Sequence, residues 1–148
     1  MDPTVEKVAK YTFNNYGATF PSQWNLRYFK IVNLFAQRSP RPRDVNPNDN
    51  IDLARNPVIG AIRACQRDNN CKAIVAAWGS IRSTITINNR RNQIARVINT
   101  RVGNIRKGGY IGQLTTRRFP RHPLYQSRDA QFGPPDKALG QWRTIPQV

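Results

Sequence analysis

One histidine, two cysteines and a large set of arginines are the residues of this chain that can do chemistry. Enzyme chemistry of the common kinds needs a nucleophile beside a base, a pair of carboxylates, or a metal cluster. His122 stands in Arg117-Arg118-Phe119-Pro120-Arg121-His122-Pro123. That basic, proline-rich setting suits a phosphate contact or a surface role better than general-base work. A single histidine excludes a two-histidine metal site within one chain. Asp44, Asp49 and Asp52 cluster in a Pro/Asn-rich stretch, but they lack the glycine and terminal Glu of a calcium loop. They read as turn and cap residues. Gly108-Gly109-Tyr110-Ile111-Gly112 lacks the GxxxxGK[ST] pattern of a phosphate loop and reads as a helix stop. Cys65 and Cys71, with five residues between them across a turn, are spaced so that a disulfide is geometrically conceivable. Two small buried side chains are the preferred reading, and structural zinc is disfavoured for want of a second Cys/His pair. The expectation is a protein that is not an enzyme and holds no cofactor or metal.

The basic residues remain. The 148 residues carry 24 Lys+Arg against 8 Asp+Glu, a net charge of +16, and 18 of the bases are Arg. Between Asp68 and Asp129 there is no acidic residue, and those 60 positions hold 12 Lys+Arg. A soluble surface usually interleaves both signs. Arginines without internal counter-ions repel one another on folding unless an outside anion neutralises them. The pattern therefore points to a polyanion, and nucleic acid is the preferred one. Arginine also suits bidentate phosphate contacts better than lysine. Arg90, Arg91, Arg96, Arg101 and Arg106 follow along one predicted helix. Steps of five residues rotate each arginine away from the last, so the helix is touched from more than one side. Arg82, Lys107, Arg117, Arg118 and Arg121 extend the candidate nucleic-acid-binding set. Duplex DNA carries about one charge per 1.7 Å of axis, so one chain could neutralise roughly 27 Å of duplex. That ratio exceeds what a helix-turn-helix reader needs, although Asn88-Asn89-Arg90-Arg91-Asn92-Gln93 has suitable residue types.

These side chains must be positioned by a modest core. Hydrophobic residues are 39% of the chain, below the average of about 45–50%, and the length suits one domain. No apolar run is long enough for a membrane helix. The opening Met1–Lys10 is too polar for a secretory signal peptide. Asp2 as a cap, Pro3 at the first helical position and Glu6 near the positive end of the dipole predict a short first helix, ended by Asn14-Asn15-Tyr16-Gly17. Trp24, Tyr28, Ile31 and Phe35 predict a second from Pro21 or Ser22 to about Gln37. Trp24, Tyr28, Phe35 and Trp78 read as packing residues rather than base-stacking platforms. A proline-rich arm follows. A third helix is predicted from near Asp52 to Arg67, with Pro57 marking its first turn or kinking it. Asp68-Asn69-Asn70 reads as a tight turn. A fourth helix carries Ile74, Trp78, Ile81 and Ile85. Its end, Ser83 to Ile87, has strand propensity. A fifth runs from about Arg90 to Lys107, stopped by Gly108-Gly109. The expectation is an all-α bundle of about four helices. It divides into 1–50 (N-terminal helices and extended arm), 51–108 (helical core, DNA-facing) and 109–148 (extended Pro/Gly-rich C-terminal tail).

That layout, a short N-terminal segment and arm before a helix bundle rich in Arg, Asn and Ile, resembles the major coat proteins of filamentous and rod-shaped archaeal double-stranded DNA viruses. The long tail 109–148 departs from the compact C-terminal bundle expected there. The resemblance implies a structural coat protein that pairs with itself or a paralogous coat subunit. It implies wrapping of double-stranded DNA, held in A-form, in a helical virion with or without an envelope, assembled in the host cytoplasm. It makes Arg82, Arg90, Arg91, Arg96, Arg101 and Arg106 backbone contacts. The alternative is an RNA-binding viral or ribosomal accessory protein.

Overall fold

A computed structural model describes residues 2–14, 20–35, 41, 44, 46, 57–80, 83–103, 107–126 and 143–148. Among them the chain forms α1 (Pro3–Phe13), a 3-10 turn (Ser22–Trp24), α2 (Pro57–Arg67), β1 (Ile74–Ala76), α3 (Ile85–Asn99), β2 (Gly108–Tyr110) and a second 3-10 turn (Pro123–Tyr125). Three helices and a two-stranded parallel sheet make the fold mixed α/β, which corrects the expected all-α bundle of four helices.

The first helix is built as its residues dictate. The Asp2 carboxylate accepts from the backbone N–H groups of Thr4 and Val5, Pro3 opens the helix, and Lys10 donates to Glu6 one turn back at 2.8 Å. Asn14 closes it with its N–H on the Lys10 carbonyl. The expected second helix is absent. After the turn at Ser22–Trp24, Asn25 takes a left-handed φ of 50° and residues 26–33 are not helical. Tyr28, one of the four residues of the supposed apolar face, is 79% exposed. α2 begins at Pro57, where the missing N–H costs nothing. It buries Val58, Ile62 and Gln66 on one face.

The expected fourth helix is also absent. Ile74-Val75-Ala76 is a strand, paired in parallel with β2 in the register Ile74↔Gly108, Val75↔Gly109 and Ala76↔Tyr110. A short apolar run fits a buried strand as well as a helix turn, and spacing alone does not separate them. What decides here is alternation. Ile74, Ala76 and Trp78 join one core, with Val58, Ile62, Ile94, Ala95 and Ile98. Ala73 and Val75 face the opposite core, with Tyr11, Phe20, Trp24 and Ile111. Period two along a strand covered on both faces is how a parallel sheet is buried. Parallel strands need a crossover, and α3 supplies it. α3 starts five residues earlier than expected, at Ile85, with Thr84 as its cap, and ends at Asn99. Gly108-Gly109 is thus β2 rather than a helix stop. A Cβ on Gly108 would lie 2.9 Å from the Ile98 carbonyl oxygen, so only glycine lets α3 press on the strand.

Cys65 and Cys71 are joined in a disulfide with a Cα–Cα distance of 5.2 Å, contrary to the preferred reading of two free buried thiols. The link closes the turn at Asp68, where the carboxylate accepts from the Asn70 N–H. The tail is not wholly extended beyond the core. Ile145 is 1% exposed and sits in the α2/α3 core.

Candidate nucleic-acid interface

The loops that leave β1 and follow β2 meet in a cleft of about 330 Å³, walled by Gly79, Ser80, Thr115, Thr116, Arg121, His122 and Tyr125. Gly79 and Ser80 come just after the carboxyl end of β1. In open α/β sheets, ligands bind outside the carboxyl ends of the strands. Gly79 is held with φ +68°, and a Cβ there would meet His122 Cβ at 3.2 Å. Its N–H donates to the Pro120 carbonyl at 2.8 Å, which locks the two walls together.

The second wall grows from a tight reversal. Leu114 and Pro120 form an antiparallel bridge. Between them Thr115 N–H donates to Phe119 O, Arg118 N–H donates to Thr115 O, and Phe119 N–H donates to Thr115 Oγ1. Arg118 takes φ 64°, unusual for a residue with a side chain, and the reversal leaves Arg117 and Arg118 exposed at its tip. Beyond Pro120, the half-buried Arg121 and His122 line the cleft. His122 Nδ1 accepts from the Leu124 N–H, capping the 3-10 turn, so in the neutral ring the proton is on Nε2. Burial pushes its pKa below the usual histidine value, and the Asp2 carboxylate pulls the other way. Tyr125 is 66% exposed, with its ring 6.1 Å from that of His122.

The expected basic residues part into distinct groups. Arg117, Arg118 and Arg121 come together at the reversal and the cleft. Arg96 is exposed on α3, with its Nε bonded to Gln147 Oε1 at 3.0 Å. Arg101 is exposed just beyond α3. Lys107 is half-buried and donates to the carbonyls of Cys65 and Asp68, so it ties the disulfide turn to β2. Desolvation lowers its pKa, Asp68 opposes that, and Lys72 adds to it. Arg90 and Arg91 do not reach the surface: they are 7% and 4% exposed. Arg82 and Arg106 lie outside the described residues. Sequence reasoning missed Gly79, Ser80, Thr115, Thr116 and Tyr125. The signal was the run Ile74-Val75-Ala76-Ala77-Trp78-Gly79, an apolar stretch closed by glycine, which marks a strand leading to a close backbone approach.

A family model described as "Protein of unknown function (DUF1643)" matches residues 1–124, and the chain belongs to that family. No curated protein and no solved structure matches the chain.

Proposed function

For this member of the DUF1643 family, we propose that the protein binds nucleic acid without reading its sequence, through the basic reversal and the cleft beside it. The observation that carries this reading is a cleft beyond the carboxyl end of β1 that Arg121 lines, with Arg117 and Arg118 exposed at the tip of the reversal that supplies its second wall. It lies in a 60-residue stretch that has no carboxylate. The arginines take phosphates, and each neutralised phosphate releases counter-ions. The exposed Tyr125 ring offers a stacking surface, which any base fits. Gly79, Ser80, Thr115 and Thr116 bring backbone and hydroxyl groups to the sugar–phosphate chain. A cleft of this size takes one unstacked nucleotide, so single strands are the preferred ligand.

Wrapping of duplex DNA by a coat of many copies is a stronger form of the same reading. Its support is the net charge of +16. The helix-bundle layout that suggested the viral coat family is not the fold of this chain.

Fluorescence anisotropy with a labelled single strand, a duplex and a structured RNA, over a range of salt, tests the proposal. Affinity should fall steeply with salt for all three and be greatest for the single strand. Arg118→Ala should weaken binding for every sequence and lower the salt slope by about one. Tyr125→Ala should cost about 1–3 kcal/mol on the single strand and leave the duplex nearly unchanged. Binding that ignores salt, or is untouched by both variants, refutes the interface. Regular filaments on long duplex DNA in the electron microscope would move the reading to the coat form.

A further inference from the structure

Residues 143–148 are held as a bound peptide is held. The Ile145 side chain fills the core beside Val58, Ile62, Ile94 and Ile98. Asn92, Arg96 and Asn99 stand at i, i+4 and i+7 of α3, and so on one face of it. Asn99 donates to the Ile145 carbonyl and accepts its N–H, at 2.9 and 3.0 Å. Arg96 Nε donates to Gln147 Oε1 at 3.0 Å. Asn92 makes with Val148 the pair of bonds that Asn99 makes with Ile145. Main-chain bonds for affinity and an anchored side chain for specificity are how an extended peptide is recognised. Pro146 fixes its own φ and biases Ile145 toward an extended backbone, so the segment loses little freedom on docking.

These contacts join residues 46, 51 and 56 apart in sequence, so none of them depends on how the segment is tethered. The tether is long. Gln126 Nε2 donates to the Ile111 carbonyl and Arg143 Nη1 to that of Gly112, so the two ends of the connection stand on neighbouring residues. Between them lie 16 residues, 127–142, with Gly133, Pro134, Pro135 and Gly140 among them. A chain of that length reaches roughly 55 Å at full extension. Two ends on adjacent carbonyls need only a fraction of that reach. A tether of this kind acts as an effective concentration of about a millimolar. A second copy at that concentration competes with it on equal terms.

We propose that the α3 face carrying Asn92, Arg96 and Asn99 docks the C-terminal segment of a second copy of this chain, in exchange for its own. The partner segment fits because every copy carries both sides of the contact. Exchange of an identical element gives up no contact and closes on a symmetric pair. The net charge of +16 opposes pairing in dilute, low-salt solution, and salt screens that repulsion. The inference stands on the tail contacts and does not depend on the nucleic-acid reading.

The test uses full-length chains with the disulfide intact, in about 0.5 M salt to screen the net charge. Two batches, labelled at the N-terminal amine with donor and acceptor dyes, are mixed at rising concentration. Energy transfer should appear, and a dimer should grow in sedimentation, as the chain approaches about a millimolar. A synthetic peptide of residues 143–148, in large excess, should lower the dimer at least tenfold. The same peptide with alanine in place of Ile145 should not. Asn99→Ala and Ile145→Ala damage opposite sides of the contact, and only the mixed dimer restores one intact pair. The mixture should therefore dimerise at least tenfold more tightly than either variant alone. The peptide arm needs no variant and decides the matter if either one does not fold. No energy transfer at millimolar chain, or a dimer that ignores the peptide, overturns the proposal. Monomers that bind the peptide without exchanging also overturn it, and leave the face to the C-terminal segment of a different protein.

Discussion

The two halves of α3 solve opposite problems. In the C-terminal half the polar groups find partners. Asn99 Nδ2 donates to the Ile145 carbonyl and Asn99 Oδ1 accepts the Ile145 N–H. Asn92, seven residues back on the same face, makes the same pair of bonds with Val148. Seven helical residues rise about 10.5 Å, and three extended residues cover about 10 Å. The tail and the asparagine stripe are therefore in register, and each amide side chain stands in for the peptide group of a neighbouring strand. Gln66 Nε2 from α2 donates to the Val97 and Thr100 carbonyls at the helix end, the first of which also accepts the Thr100 N–H. In the N-terminal half, Arg90 and Arg91 are buried with donors left over. One half is finished by the chain itself. In the other, among the described residues, buried donors keep no partner. The same helix thus carries the best-satisfied and the least-satisfied polar groups of the described fold.

The largest expected effect breaks the finished half. Ile145→Ala removes a fully buried side chain that the tail contributes to the α2/α3 core. It should lower stability by about 2–5 kcal/mol, read from urea unfolding. Val148→Ala, at an exposed position, should stay within about 0.5 kcal/mol. Equal small losses at both positions would mean that the tail is not part of the core.

The opposite sign is expected in the other half. Replacing a buried, uncompensated charge with an apolar side chain of similar length is often neutral or stabilising, by about 1–4 kcal/mol. Arg91→Met should therefore unfold at the same or higher urea concentration than wild type. A large loss of stability would show that the guanidinium is a structural tie, held by Asn88 and the Phe119 ring.

A smaller effect sharpens the first region. The disulfide closes a short loop, for which chain entropy predicts about 2 kcal/mol. Lys107 reaches from the start of β2 to the Cys65 and Asp68 carbonyls inside that loop. Cys65→Ser with Cys71→Ser should cost about that much. Amide exchange should speed up at the α2–β1 turn and at Ile74, whose N–H donates to the Lys107 carbonyl. The exchange of α3 residues 87–91 should not change.

How much of this was legible in the sequence follows from what each signal depends on. α1 was legible in full, because its cap, its proline and its i,i+4 pair are local. The turn at Asp68 and the end of α2 at Arg67 were legible for the same reason. The strand β1 was not. Ile74 and Trp78 are four apart, which a helix also satisfies, and what makes them a strand is the partner 34 residues away at Gly108. The second expected helix failed because Tyr28 and Ile31 are exposed rather than set against a core. Charge put Arg117, Arg118 and Arg121 in the same candidate set as Arg90 and Arg91. It had no means of separating those from Arg90 and Arg91, because burial is set by α3 packing on Phe35 and Phe119. The cleft depends on Gly79 meeting His122, a contact between segments that no local pattern joins.

The smallest effect is one of pH, and it couples stability to binding. Burial holds His122 below its ordinary pKa of 6.5 in the folded chain, against the weaker pull of Asp2. The unfolded chain therefore binds more protons in the window from about pH 6.5 down to the folded value, and stability must fall as pH falls through it. Protonation also turns Nδ1 from an acceptor into a donor, which removes the bond from the Leu124 N–H. For a polyanion in the cleft the sign reverses, because the charged ring adds a cation beside Arg121. Across this window the urea midpoint should drop while affinity for a single strand rises. His122→Gln keeps a polar side chain that cannot be charged, so it should flatten both curves together. If only the stability curve flattens, His122 is a packing residue of the 3-10 turn and the nucleic acid lies elsewhere on the basic surface.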